Sequence, residues 1–218
     1  MREFFRFEHR LDEDTADAYF DGIGAALQQP EFRPRALFER FRIEVMATTE
    51  APNDPLVHHR KLRESGWKGR VITTYRPDPV LDPEHPDFRT ALPELGEVTK
   101  QDVHGWRGYL EAHRIRREFF KKAGAAATDH GHPTPFTADL SPGECEALFA
   151  RVVAGKASAA DAELSRGQML LEMARMSPDD GLVMQIHPGA CRNHNARVVG
   201  QFGRDKGADS PIAVDFVH

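Results

Sequence analysis

Apolar residues recur every three or four positions in several stretches of the chain, a spacing typical of helices with one buried face. The first such stretch predicts a helix from Thr15 to Gln28. Ser141 and Glu144 have the spacing of a capping box, so another helix is predicted to begin at Pro142. The remaining predicted helices run from about Pro34 to Arg40, Pro55 to Ser65, Thr99 to Lys122, and Ala159 to Met176, and the helix from Pro142 continues to Val153.

Four short apolar runs separate these helices and predict β-strands, each of which stops at a cluster of polar residues. They lie at Ile43–Ala47, Val71–Thr74, Ala123–Thr128 and Leu182–Ile186, and the last is predicted to be a buried strand. Strands that alternate with helices form parallel sheets with right-handed crossovers, so the pattern predicts an α/β fold. The proline-containing stretch from Pro79 to Gly96 is predicted to be a loop.

The composition is that of a globular protein that can bury a sizeable core. The 218 residues are 40% hydrophobic, and 29 basic against 34 acidic residues leave a formal charge of -5. This charge balance argues against nucleic acid as a partner. Two cysteines without a Cys-x-x-Cys motif, no signal-peptide pattern and no apolar run of membrane-spanning length predict a cytoplasmic protein.

The polar clusters at the strand ends are the candidates for chemistry. In parallel α/β folds the carboxyl ends of the strands open onto one functional face, where side chains from several strands converge. The four strand ends are Thr48–Glu50, Tyr75–Asp78, Asp129–His132 and His187–Asn195. The last of these carries the highest density of polar groups.

Arg76 follows a predicted strand directly and is a candidate for binding an anionic substrate. Its guanidinium can hold a carboxylate with two parallel hydrogen bonds, which an ammonium group cannot reproduce. The alternative is structural, with Arg76 paired to Asp78 or another nearby acid.

Asp129, His130 and His132 place one carboxylate and two imidazoles at the third strand end. Histidines two positions apart on an extended segment project to one side, and His-x-His is one way to hold a divalent ion. In the alternative, the segment is a polar turn in which Asp129 caps local backbone and both histidines face solvent.

His187 ends the predicted buried strand and is a candidate for the reacting centre, with a hydrogen-bonded core histidine as the alternative. Arg192, Asn193 and Asn195 follow it and are candidates for contacts to a substrate. Each of these three residues can instead form a loop or cap a helix.

Taken in order, the strand-end residues resemble the central part of the uronate isomerase (glucuronate isomerase) family, which belongs to the amidohydrolase-like TIM barrels. The resemblance covers roughly residues 32–215. It rests on Thr48-Thr49-Glu50, Asp54-Pro55-Leu56 with His59, Tyr75-Arg76-Pro77-Asp78, Thr128-Asp129-His130, the run from His187 to Asn195, and Asp209-Ser210.

The resemblance implies an aldose-ketose isomerisation of hexuronates, such as D-glucuronate to D-fructuronate, through an enediol-like intermediate. It implies that Arg76 binds the substrate carboxylate and that Asp129 and His187 lie at the reacting end as catalytic residues. The other substrate-binding residues that it implies are Arg192, Asn193 and Asn195.

The resemblance further implies a divalent metal, zinc, in the complete enzyme. The family's His-x-His motif should lie well upstream of Thr48, where the sequence has none. The aspartate expected near the end of the last barrel strand should lie downstream of Asp209, but the sequence ends at His218, so no metal ligand is predicted here. The predicted fold is a partial (β/α)8 TIM barrel of about four to five parallel strands with helical crossovers. The chain is predicted to be one incomplete barrel domain over residues 1–218, with an N-terminal helical segment over residues 1–31 and the central barrel portion over residues 32–218.

The preferred interpretation is therefore a uronate isomerase fragment with little activity by itself and a hexuronate as its small-molecule partner. One alternative is a metal-dependent hydrolase of the amidohydrolase group that acts on another anion. The other is a non-catalytic subunit that binds a ligand or completes a split enzyme. A second copy of the chain, or a complementing chain, is an expected partner because open strand edges would otherwise remain unpaired.

Overall fold

The computed structural model describes residues 2–207 and 209–217. The helices are α1 (Arg2–Phe5), α2 (Ala16–Leu27), α3 (Pro34–Arg40), α4 (Val57–Glu64), α5 (Asp78–Leu81), α6 (Phe88–Thr99), α7 (Trp106–Lys122), α8 (Pro142–Val153), α9 (Ala159–Asp180) and α10 (Ala196–Phe202), and a 3₁₀ helix spans Pro30–Phe32. The strands are β1 (Val45–Glu50), β2 (Arg70–Tyr75), β3 (Ala127–His130), β4 (Val183–Ile186), β5 (Ala190–Cys191) and β6 (Ser210–Pro211).

The first four strands form one sheet in the order β1-β2-β3-β4. β2 is parallel to β3, with Tyr75 opposite Thr128, and β3 is parallel to β4, with Asp129 opposite Gln185. The predicted α/β class, with four parallel strands and helical crossovers, is confirmed. The short strands β5 and β6 form a separate antiparallel pair.

The chain divides into two compact units, residues 1–46 with 64–71 and residues 47–63 with 72–218. In the first unit the ring of Phe38 lies edge-on to that of Trp67, and the Trp67 indole N–H donates a hydrogen bond to Glu39 (2.9 Å). In the second unit the ring of Tyr109 stacks on Phe149 with centroids 4.6 Å apart. All of the predicted site residues belong to the second unit.

The capping box predicted for α8 is present, because the Ser141 amide donates to the Glu144 carboxylate and the Ser141 hydroxyl caps the helix in return. The prediction of a loop from Pro79 to Gly96 is wrong, since α5 and α6 occupy most of this stretch. Pro79 lies in the first turn of α5, where the missing N–H removes no helical hydrogen bond.

α6 forms although Pro93 lies in its interior. The helix buries Leu92 and Leu95, and the burial of such a face outweighs the loss of one backbone hydrogen bond. Lys100 takes a left-handed conformation (φ 58°) and ends the helix. The helix predicted from Thr99 therefore begins later, at Trp106.

Arg116 and Arg117 of α7 are buried, although the charged residues of an amphipathic helix ordinarily lie on its solvated face. The guanidinium of Arg117 makes two hydrogen bonds to Asp180 (Nε···Oδ2 2.5 Å, Nη2···Oδ1 3.1 Å), and Arg116 donates to the backbone carbonyl of Asp54. Helical periodicity could not reveal these partners, because they lie on distant parts of the chain.

β4 is not the buried strand that its apolar run predicts. Val183 is 65% exposed and Ile186 is 39% exposed. β4 lies at the edge of the sheet, and within residues 2–207 and 209–217 no strand pairs with its outer side. Its apolar side chains therefore lack the neighbours that would cover them.

Candidate functional site

Three of the predicted site residues meet at the carboxyl ends of β2, β3 and β4. Oδ1 of Asp129 lies 2.7 Å from Nε2 of His187, and Oδ2 of Asp129 lies 3.3 Å from Nη1 of Arg76. Asp129 is buried, whereas the His187 side chain is 41% exposed. One carboxylate is thus shared between an imidazole that solvent can reach and a guanidinium.

The sheet register explains why Asp129 and His187 meet. The hydrogen bonding between β3 and β4 continues one residue beyond β4, where the His187 amide donates to the carbonyl of His130 (3.2 Å). Adjacent parallel strands therefore bring His187 beside the end of β3, although the two residues are far apart in sequence.

Arg76 also has the structural partner that the alternative interpretation predicts. Its Nε lies 2.9 Å from Oδ2 of Asp78, whose carboxylate also accepts a hydrogen bond from the Gly131 amide (3.2 Å). A guanidinium has five N–H donors, so donors remain for a ligand after these two acids are bound. The ion pairs and a role in substrate binding are therefore compatible.

Gly131 lies where the site residues approach each other most closely. A Cβ atom at this position would lie 2.7 Å from Nη2 of Arg76, 2.8 Å from Oδ2 of Asp78 and 3.4 Å from Cε1 of His187. No larger residue fits without displacing one of them. The sequence interpretation did not assign a role to Gly131, and its position between two histidines at a strand end was the available signal.

His130 and His132 are both buried, so the alternative in which they face solvent is wrong. Nε2 of His130 lies 2.9 Å from the Thr128 hydroxyl. Burial, followed by the influence of the neighbouring His132, lowers the pKa of His130 to about 3. Both histidines therefore belong to the interior of the site.

The end of β1 is held by a second set of polar contacts. The hydroxyl of Thr73 donates to the carboxylate of Glu50, and Nε2 of His59 lies 3.7 Å from Oε1 of Glu50. The same nitrogen lies 2.9 Å from the Thr48 hydroxyl. These contacts fix the end of β1.

The contacts of Arg192, Asn193 and Asn195 differ from one another. Nη1 of Arg192 lies 3.7 Å from Oδ2 of Asp209. The Asn193 side chain accepts a hydrogen bond from the Asp205 amide (2.7 Å), and the Asn195 side chain caps α10. These asparagine bonds fix the loop itself, as in the structural alternative.

A cleft of about 670 Å³ lies beside these residues. It is lined by Thr49, Ala51, Arg76, Asp78, Pro79, Asp82, His85, Gly131, His132, Pro133, Ala190, Arg192, Arg204 and Asp205. Three arginines balance three aspartates in this lining, so the formal charge is close to neutral when the histidines are uncharged. The size suits a small ligand, and the lining suits a polar one.

The described residues do not form a metal-binding set. No three His, Cys, Asp or Glu side chains among residues 2–207 and 209–217 converge as ligands. Both carboxylate oxygens of Asp129 already contact protein cations or donors.

Among residues 2–207 and 209–217, no helix is long and apolar enough to cross a membrane.

The chain is similar to several uronate isomerases along its whole length. The uronate isomerase of Phenylobacterium zucineum (strain HLK1) is 63% identical over 215 residues, which are 99% of this chain and 45% of that protein. The uronate isomerase of Xanthomonas campestris pv. campestris (strain B100) is 60% identical over 218 residues, or 100% of this chain and 46% of that protein. The chain thus spans about half the length of the curated relatives it matches.

Two crystal structures have the same fold over the matched region. Glucuronate isomerase from Caulobacter crescentus superposes with a TM-score of 0.91 at 55% identity, covering 99% of this chain and 45% of that chain. Uronate isomerase from Thermotoga maritima gives a TM-score of 0.86 at 24% identity, covering 98% of this chain and 48% of that chain, which shows the fold alone. The predicted partial TIM barrel is confirmed.

A family model described as glucuronate isomerase matches residues 1–216. The similarity therefore includes the N-terminal segment, which the predicted range of residues 32–215 left out. Since this match covers nearly the whole chain, the chain belongs to the glucuronate isomerase family.

Proposed function

We propose that this chain supplies substrate-binding and acid-base residues for the isomerisation of D-glucuronate to D-fructuronate. The observation that carries the proposal is the Asp129 carboxylate, which lies between the His187 imidazole and the Arg76 guanidinium. Membership of the glucuronate isomerase family supports the choice of substrate and reaction.

The proposed reaction moves a proton between adjacent carbons. A base removes the proton from C2 while the carbonyl oxygen at C1 gains a proton, which gives an enediol. A proton is then delivered to C1 while the hydroxyl at C2 loses its proton, so that the C2–H bond breaks and a C1–H bond forms. Side chains that accept and return protons in this way accelerate both steps.

His187 is proposed as the acid-base group and Asp129 as its partner. The carboxylate oxygen 2.7 Å from Nε2 orients the imidazole for proton transfer. The exposed fraction of His187 gives a substrate access to its ring. The two residues therefore act together at the reacting end.

Arg76 is proposed to bind the substrate carboxylate through the N–H donors that Asp78 and Asp129 do not use. Arg192 lines the same cleft and adds a second cation. Asn193 and Asn195 are proposed to shape the loop that holds Arg192.

We also propose that the complete enzyme uses zinc and is cytoplasmic, and that it takes part in carbohydrate metabolism. A second copy of the chain, or a complementing chain, is proposed as its partner.

A graft tests the proposed function. This chain replaces the matching segment of the Phenylobacterium zucineum uronate isomerase, and conversion of D-glucuronate to D-fructuronate is followed by NMR. We expect the graft to catalyse the reaction at a rate comparable to the parent enzyme. A folded graft without activity, beside an active parent, would contradict the proposal.

A further inference from the structure

His132 is a buried residue of the cleft whose side chain has no partner among the residues that the structure describes. The residue is 4% exposed, and neither ring nitrogen makes a hydrogen bond there. A neutral imidazole carries one donor and one acceptor, and buried polar groups are satisfied in nearly all folded proteins. Both nitrogens are also closed to solvent, so the ring must turn toward the adjoining cleft to meet a polar group that binds there.

The electrostatic surroundings indicate the charge of that group. Burial lowers the pKa of His132, while Asp78 and Asp82 act in the opposite direction. The ring is therefore mostly neutral at pH 7 and offers both a donor and an acceptor. Asp78 is paired with Arg76 and Asp82 with Arg166, so the charges near the ring are balanced and the position suits an uncharged polar group.

Hydroxyl groups fit these conditions. Each hydroxyl can donate and accept a hydrogen bond, as the neutral imidazole can, and it carries no charge. His132 and Arg76 line the same cleft, so a molecule bound by Arg76 can extend toward His132. A hexuronate shares its carboxylate with a simple fatty acid and differs from it by a row of hydroxyl groups.

We propose that His132 is a specificity-determining residue of the cleft, which binds hydroxyl groups along the carbon chain of the substrate through its two ring nitrogens. The inference rests on the proposed function and adds the group that recognises the polyol. A site that hydrogen-bonds a hydroxyl discriminates strongly against an analogue that lacks it, because the buried polar group is then left unpaired.

Two stable acids test the inference on the purified chain. L-Gulonate is the open-chain acid formed by reduction of the D-glucuronate aldehyde, and hexanoate has the same chain length with no hydroxyl group. Calorimetry gives the Kd of each acid. We expect the chain to bind L-gulonate more tightly, and His132→Leu to weaken L-gulonate binding about tenfold while leaving hexanoate binding unchanged.

His132→Gln is the matched control, because its amide retains a donor and an acceptor and should keep most of the preference for L-gulonate. Thermal unfolding checks that both variants fold. Independently of any variant, NMR of the ¹⁵N-labelled ring should show that L-gulonate shifts the His132 nitrogen resonances and that hexanoate does not.

The possible failures are distinguishable. A chain that binds both acids equally well, or whose preference survives in His132→Leu, would overturn the role of His132 and leave the carboxylate site intact. His132 ring resonances that do not shift when L-gulonate is added would also overturn this role, because they would show that the ligand does not contact the ring. A chain that binds neither acid would contradict the proposed carboxylate site, and the inference with it.

Discussion

Asp129 and His187 lie 2.7 Å apart, carboxylate oxygen to imidazole nitrogen, at the ends of two neighbouring parallel strands. The contact joins residues that are distant in sequence and places a buried acid behind a half-exposed imidazole. It forms because the register between β3 and β4 continues one residue past the end of β4.

Asp129→Asn should abolish most of the isomerase activity of the graft described above. The amide keeps the size of the side chain but removes the charge that orients and stabilises the His187 imidazole. We expect kcat to fall about 100-fold or more, with little change in folding. Asp139→Asn is the control, because Asp139 forms an exposed ion pair with Arg175. An unchanged kcat in Asp129→Asn would exclude the proposed acid-base pair.

Arg76→Ala should weaken the binding of every carboxylate ligand to the chain. Loss of a charge-assisted pair predicts a rise in Kd of about tenfold or more for L-gulonate and hexanoate alike, measured by calorimetry. Arg151→Ala, which removes a surface partner of Asp161, should leave both values unchanged. Undiminished binding in Arg76→Ala would leave Arg76 as a residue that orients Asp129 and would remove it from the carboxylate site.

Gly131→Ala should disturb the site through one added methyl group. The new Cβ would overlap Arg76 and Asp78, so one or both of these side chains must shift. We expect weaker ligand binding and a loss of about 1–3 kcal/mol in the free energy of unfolding. Gly143→Ala is the matched control, because no atom lies within 4 Å of a Cβ there. Equal ligand affinity in both variants would show that Arg76 tolerates the displacement.

Arg117→Ala should destabilise the fold more than any change on the exposed side of α7. Its side chain is 1% exposed, and its removal takes away the two hydrogen bonds that it donates to the Asp180 carboxylate, which keeps the one from the Leu182 amide. Breaking a buried pair predicts a loss of about 3 kcal/mol in urea unfolding. Arg114→Ala breaks an exposed pair with Glu111 and should cost about 0.5 kcal/mol or less. Similar losses in the two variants would contradict the buried pair.

His113 should make the fold sensitive to acid. Burial, followed by the charges of Arg117 and Arg114, lowers the pKa of His113 from its usual 6.5 to about 3. The unfolded chain takes up this proton first, so stability is full above about pH 6.5 and falls as the pH drops toward 3. His113→Gln should therefore lose less stability between pH 7 and pH 4 than the parent chain does.

The measurement for His113 is the change in unfolding free energy between those two pH values. His104→Gln is the control, because His104 is exposed and its replacement should leave the pH dependence as it is. An identical pH dependence in His113→Gln and the parent chain would show that His113 is not held neutral in the folded state.

The sequence by itself determined most of the longer helices, the four strands of the parallel sheet and the strand ends at which Arg76, Asp129 and His187 lie. It could do so because periodicity, capping residues and polar strand ends are local features, and the motif order at those ends indicated the family. α6 escaped prediction because Pro93 and the prolines before it are local signals of a loop, whereas the burial of Leu92 and Leu95 depends on packing.

The tertiary structure alone decided which polar side chains are buried and what they contact. Arg117 has the sequence context of a solvated helix face but pairs with Asp180 in the interior, and His132 has the context of a polar turn but is buried in the cleft without a partner among the described residues. Val183 belongs to an apolar run and is nonetheless exposed at a sheet edge. Burial depends on which distant elements pack against a residue, and that information is not local to the chain.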